Sequence, residues 1–232
     1  MKEIEPSMFP AAVIFDMDGL MLDTEQMMRP CFQRAAVDIG CPVPDGLYDS
    51  LIGIGSADTF AILSERFGAA FRQREFEERL RELWHHRLAA GIPHKPGLSD
   101  LLTLLEQRRI PTAVATSTDA SDAELCLRTA ALWGRFHTVV TGDQIPNGKP
   151  APDIYLEAAS RLRVEPSRCV ALEDSNNGVL AASRAGMRVL MVPDTACSPS
   201  QEALTAAWAV LPSLHEAKQL ISEWLVAKMD SN

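Results

Sequence analysis

The stretch Ala11-Ala-Val-Ile-Phe-Asp16-Met-Asp18-Gly19-Leu-Met-Leu-Asp23-Thr24-Glu25 decides how the chain is read. A short apolar run, 11–15, stops abruptly at two acids in alternate positions. Such a run closed by turn formers fits a strand buried on both faces of a parallel sheet. Strand side chains alternate with a period of two, so Asp16 and Asp18 leave its C-terminal end on the same side. Gly19 lets the backbone turn sharply just beyond them. Neighbouring carboxylates repel by on the order of a few kcal/mol, and a divalent cation relieves that repulsion. Alone, the string reads equally well as a strand end followed by an acidic turn. The residues downstream decide.

Outward from this stretch, residues 25–91 carry helical periodicity. A helix is expected over 24–40, kinked or broken near Pro30. A second runs over 56–67 with Ser56 as N-cap and Gly68 just past its end. A third spans about 71–90, with Phe76, Leu80, Leu83 and Leu88 on one stripe. After Pro96-Gly97 the pattern changes to alternating helix and strand. Helix 98–109 precedes strand 112–116, then comes a helix opened by a capping box, Ser121-x-x-Glu124. Strand 138–141 is followed by a helix with Pro152 in its first turn. Strand 169–172, helix 177–185 and strand 189–192 follow, then a short strand near 209–211 and a helix opened by Ser213-x-x-Glu216. The alternation predicts an α/β fold, a Rossmann-like doubly wound parallel sheet with an inserted all-helical cap. The core is expected to comprise 1–24 and 95–232, the cap 25–94, with hinges at the two crossings.

In open α/β sheets ligands bind beyond the carboxyl ends of the strands. Here those ends carry Asp16 and Asp18, then Thr116-Ser117-Thr118, then Glu173-Asp174-Ser175-Asn176-Asn177-Gly178, with Asn147-Gly148-Lys149-Pro150 ahead of a helix. Asp16, Asp18, Glu173 and Asp174 suit a hard cation with oxygen ligands, such as Mg²⁺, which takes one or two carboxylates plus water and phosphate oxygens. Thr116, Ser117 and Gly19 are candidate phosphate-binding groups, and Lys149 supplies a point positive charge. Each piece has a plain structural reading: a capping loop, a solvated lysine, a turn. Together, in order, they fit phosphoryl transfer. Asp16 is then the candidate nucleophile and Asp18 the candidate general acid/base. Asp18 reaches the metal through its main-chain carbonyl in this reading. His85, His86 and His94 are left as surface or structural groups.

These motifs resemble those of the haloacid dehalogenase superfamily: Asp16-x-Asp18 with Gly19, Asp23 and Thr24, then Thr116, Lys149-Pro150 and Glu173-Asp174. The helical insert is similar to the cap of subfamily I. The strings Gly-Lys-Pro-Ala-Pro-Asp-Ile-Tyr and Glu-Asp-Ser-Asn-Asn-Gly resemble the β-phosphoglucomutase-like branch, which includes sugar-phosphate and pseudouridine-5′-phosphate phosphatases. The resemblance implies a Rossmann-like core, a mobile cap, Mg²⁺ as cofactor and a small phosphomonoester as substrate. Asp18 argues against a dehalogenase, whose leaving group needs no proton. Met28 stands where the mutase carries a histidine, and Ser56 in Gly53-Ile-Gly-Ser-Ala where it carries a cap-loop arginine, so hydrolysis through an aspartyl-phosphate is expected. A phosphomutase of the same mechanism, or a non-catalytic binding protein, is the alternative.

Composition bounds the rest. The 232 residues carry a net charge of −9 without a basic run, which argues against nucleic acid or anionic membrane as partner. Five scattered cysteines lack a Cys-x-x-Cys pair, fitting a reducing, cytoplasmic setting. The N-terminus lacks the pattern of a signal peptide, and no apolar run approaches about 18 residues. A monomer is expected.

Overall fold

The computed structural model describes residues 10–51, 55–194 and 198–229. Gly53 of the expected cap loop and Cys197 lie outside them. The first strand, β1 (Ala12–Phe15), is flanked in a six-stranded sheet by β2 (Thr112–Ala115), β3 (Thr138–Val140), β4 (Cys169–Glu173), β5 (Arg188–Met191) and β6 (Ala209–Val210). All neighbouring pairs are parallel, in the order β3-β2-β1-β4-β5-β6. This is the doubly wound order. The strand order switches sides between β1 and β4, which opens a crevice at their carboxyl ends.

Period-two alternation divides the sheet's side chains between two cores. Val13, Phe15, Val170 and Leu172 face one side with Leu101, Leu105, Ile221 and Trp224. Ala12, Ile14, Cys169 and Ala171 face the other with Ile154, Tyr155, Val179 and Ala203. The first layer is built by α5 (Leu98–Gln107), α6 (Ala120–Thr129) and α10 (Leu214–Met229). The second comes from α7 (Asp153–Leu162), α8 (Asn176–Arg184) and α9 (Gln201–Ala206).

Between β1 and α5 lie α1 (Thr24–Asp38), α2 (Asp45–Leu51), α3 (Ser56–Phe67) and α4 (Gln73–Leu88). They share an apolar cluster of their own, in which Phe76 meets Phe32 edge to face at 4.9 Å between centroids. Helix α1 runs on through Pro30 as one element. The two chain crossings pair with each other: Asp23 N–H donates to the Pro93 carbonyl (3.1 Å) and Lys95 N–H to the Met21 carbonyl (2.9 Å).

Several boundaries differ from expectation. Helix α6 starts at Ala120 behind an Asp119 N-cap, so Ser121 lies inside the first turn and does not open a capping box. Gly55, rather than Ser56, is the N-cap of α3. At the last helix Ser213 does act as expected, donating to Glu216 (2.5 Å) and accepting from His215 N–H (3.1 Å). Helices α2 and α9 went unread because each is a short element bordered by Pro, Gly or Ser.

Candidate active site

At the β1–β4 crevice the carboxyls of Asp16, Glu173 and Asp174 offer oxygen atoms all within 4.8 Å of one another. All three are buried. Burial pushes Asp16 and Asp174 well above the ordinary carboxyl range; Glu173 adds to both shifts, and Lys149 opposes them. Acids this close and this buried need a cation or shared protons among them, so the donor set fits a hard divalent ion.

Lys149, brought in by the loop ahead of α7, supplies part of that charge. Its Nζ donates to Asp16 Oδ1 (2.5 Å) and to Glu173 Oε1 (2.6 Å). Burial alone would lower the ammonium's pKa, but the two carboxylates hold it above its ordinary value. Glu173 is itself saturated: Oε1 also accepts from the Tyr155 hydroxyl (2.6 Å), and Oε2 from the amides of Asp174 (3.2 Å) and Ser175 (3.3 Å) and the Ser175 hydroxyl (3.1 Å). A carboxylate so engaged is built to orient a lysine. Space for it comes from Gly178 in the first turn of α8, where any Cβ would overlap the Glu173 carboxylate.

Asp18 takes a different place from the acid trio. Its carboxylate accepts from Thr24 (2.8 Å), Thr116 (3.2 Å) and Thr118 (2.7 Å), three hydroxyls from α1 and the end of β2. Hydroxyls also accept, so the same partners can orient the protonated acid. The Asp18 side chain is not among the clustered carboxyls; the expectation gives its main-chain carbonyl, not its side chain, to a metal. Gly19 also differs from expectation. Its amide donates to the Leu22 carbonyl (3.0 Å), its φ is +79°, and a Cβ there would overlap the Asp174 carboxylate, so it serves the turn and lets Asp174 approach. Ser117 is exposed and lines the chamber.

Sequence reasoning passed over several groups. Thr24 and Thr118 were visible in the motifs, but nothing in the string says that their hydroxyls meet at Asp18. Tyr155 faces the core from α7, and its hydroxyl alone reaches the site, through Glu173. Asp194, just past β5, pairs with Lys95 Nζ (3.1 Å), which also lies 3.4 Å from Asp23. The strand-end rule applied to β5 would have found it. His94 is structural, contacting the Ala130 carbonyl (2.8 Å) and Ser99 (3.3 Å).

Above this floor lies a chamber of about 630 Å³, walled by Glu25, Met28, Ser56, Phe60, Glu77, Leu80, Arg81 and Trp84 on the helical insert, and by Asp119, Asp122 and Cys126 on the α6 side. That volume suits a small molecule. Burial, then Asp18 and Asp194, raise the Glu25 carboxyl to about 7, with the Tyr48 hydroxyl beside it.

This geometry sits within a match of residues 13–192 to the haloacid dehalogenase-like hydrolase family. The chain belongs to that family. Among haloacid dehalogenase-like hydrolases it is 33% identical to the phosphorylated carbohydrates phosphatase of Thermotoga maritima, over 93% of this chain and 92% of that protein. It is 36% identical to a protein of Drosophila melanogaster named as a probable pseudouridine-5′-phosphatase, over 88% and 90%. The crystal structure of CbbY from Rhodobacter sphaeroides in complex with phosphate superposes with a TM-score of 0.80 at 29% identity, covering 90% of this chain and 96% of that one. No helix among the described residues is long and apolar enough to cross a membrane.

Proposed function

We propose that this haloacid dehalogenase-like hydrolase is a Mg²⁺-dependent phosphatase of small phosphomonoesters, working through an aspartyl-phosphate on Asp16. The observation that carries the reading is Asp16 held by Lys149 at the β1–β4 crevice, with Asp18 poised separately among three hydroxyls. The names of the relatives, phosphatases of phosphorylated carbohydrate and of pseudouridine phosphate, point the same way.

In this mechanism an Asp16 oxygen attacks phosphorus as the bond to the leaving oxygen breaks, and Asp18 gives that oxygen its proton. Asp18, now ionised, takes a proton from the incoming water, whose oxygen attacks the phosphorus and releases Asp16 and inorganic phosphate. Thr116 and Ser117 sit at the end of β2 where phosphate oxygens need donors, and Lys149 offsets their charge. Mg²⁺, held by Asp16 and Asp174 with the Asp18 main-chain carbonyl, would neutralise the phosphate dianion. Glu173 keeps Lys149 in place. Residues 25–94 form a cap that shields the chamber, hinged where 21–23 and 93–95 pair. Met28 and Ser56 both line the chamber, and Ser56 brings none of the positive charge with which a cap-loop arginine would hold a distal phosphate, which favours hydrolysis over phosphoryl return.

A panel of sugar phosphates, nucleotides and phosphoglycolate, assayed for phosphate release, tests this. Turnover is expected with Mg²⁺ and its loss with EDTA. In the Asp16→Asn variant, folded by circular dichroism, turnover should fall at least about 10³-fold. Near-normal rates in that variant would remove Asp16 as the nucleophile.

A further inference from the structure

The chamber wall beyond the catalytic floor is unequally charged. Eight carboxyl side chains line the whole cavity, against two cations, Lys149 and Arg81. Asp16, Asp18, Asp174 and Asp194 belong to the floor and its immediate border. The remaining four, Glu25, Glu77, Asp119 and Asp122, line the chamber beyond the floor, where Arg81 is the one cation among the described lining residues. Arg81 lies one helical turn from Glu77 on α4, so these opposite charges share one helix face. Asp119 and Asp122 form no ion pair among the described residues, and burial together with each other and Asp143 pushes the Asp119 carboxyl upward. The same wall offers apolar faces from Phe60, Trp84 and Met28.

We propose that this wall selects phosphomonoesters of neutral or amine-bearing polyols and rejects those whose alcohol carries a second anionic group. The inference deepens the phosphatase reading and rests on it. Ionised carboxylates accept hydrogen bonds and have none to donate, so hydroxyl and ammonium groups satisfy Glu77, Asp119 and Asp122 while a carboxylate or second phosphate cannot. Like charges across the chamber repel, the exposed Asp119 leaves that repulsion open to screening by salt, and the penalty for a second anion persists in the transition state. The aromatic and thioether faces suit the C–H faces of a sugar-like ring or chain. The acids here tune a cavity whose chemistry is set by its floor.

Matched substrates test this in the Mg²⁺-loaded protein. The ratio of kcat/KM for glycerol 3-phosphate over 3-phosphoglycerate, which differ by a CH₂OH against a carboxylate, is expected to be at least about tenfold. Glucosamine 6-phosphate is expected to equal or exceed glucose 6-phosphate. In the double variant Asp119→Asn/Asp122→Asn, which removes two charges at nearly constant side-chain volume, the first ratio should narrow at least about threefold whatever the absolute rates. In the unaltered protein, raising salt should narrow it as well. Comparable rates on both members of the first pair would overturn the selectivity while leaving the phosphatase intact. An unchanged ratio in the double variant would overturn its assignment to this wall. Failure to hydrolyse any of the four esters would remove the phosphatase reading and this inference with it.

Discussion

The floor and the upper wall of the chamber are built on opposite plans. On the floor, buried polar atoms are tied to named partners: Glu173 alone accepts five hydrogen bonds, and Asp18 accepts three. These groups hang from strand ends and tight turns whose backbone is held by the sheet. The upper wall is made of helix faces, where Glu77, Arg81, Asp119 and Asp122 project with few fixed partners. Reaction geometry tolerates little displacement, so it sits on the rigid element; recognition of an alcohol tolerates adjustment and sits on surfaces that can change without disturbing the core.

Gly178→Ala is the sharpest way to break the floor without touching a reacting group. A methyl there overlaps the Glu173 carboxylate, which must move and carry Lys149 with it. We expect kcat to fall about 100-fold, with the Mg²⁺ requirement unchanged, since displacement of a positioned group by about 1 Å costs that much. Kinetics alongside a thermal melt would separate this from simple unfolding.

Lys95→Met probes the border between floor and crossings. Asp194, nearly fully buried, would lose its ammonium partner and the two crossings their shared charge. A loss of about 2 kcal/mol is expected, below the cost of breaking a fully buried pair because Lys95 is partly exposed. Urea denaturation near neutral pH would measure it. No change in midpoint would mean that backbone pairing of 21–23 with 93–95 holds the crossings by itself.

Glu25→Gln addresses the wall, and its expected effect is smallest. Glu25 has a folded-state pKa of about 7 against an ordinary 4.5, so the folded protein binds this proton more tightly than the unfolded chain. The stability it contributes is complete below about pH 4.5 and is lost as pH rises through about 7. The Gln variant has no such loss. It should match the parent near pH 4.5 and exceed it by roughly 1–2 kcal/mol at pH 8, discounted for partial exposure. Equal stability at both pH values would mean that water reaches Glu25 freely.

Much of this contrast could be read from the chain. The apolar runs ending in Asp16, Thr116 and Glu173 placed the strands to within a residue or two, because a strand buried on both faces has a distinctive sequence. The parallel sheet then placed their polar ends together. Lys149 was legible for the same reason, lying just ahead of a helix that packs on that sheet. The α6 capping box failed because the helix begins earlier: Asp119 holds the extended N-cap position, and the Ala120 N–H at the helix start is met by the Asp143 carboxylate from a distant loop.

The sequence by itself determined the order of strands and helices and the kinds of group at each strand's end, since periodicity and turn chemistry are local. Only the tertiary structure decided that Asp18 turns to three hydroxyls while Asp16 joins Glu173 and Asp174, that Glu173 is consumed in holding Lys149, and that Gly19 yields its space to Asp174. It also decided that four further acids line the chamber beside that floor. Those outcomes depend on side-chain direction and on contacts between residues far apart in the chain, such as Thr118 with Asp18, 100 positions apart, and Lys149 with Asp16, 133 apart, and a local pattern carries no record of either.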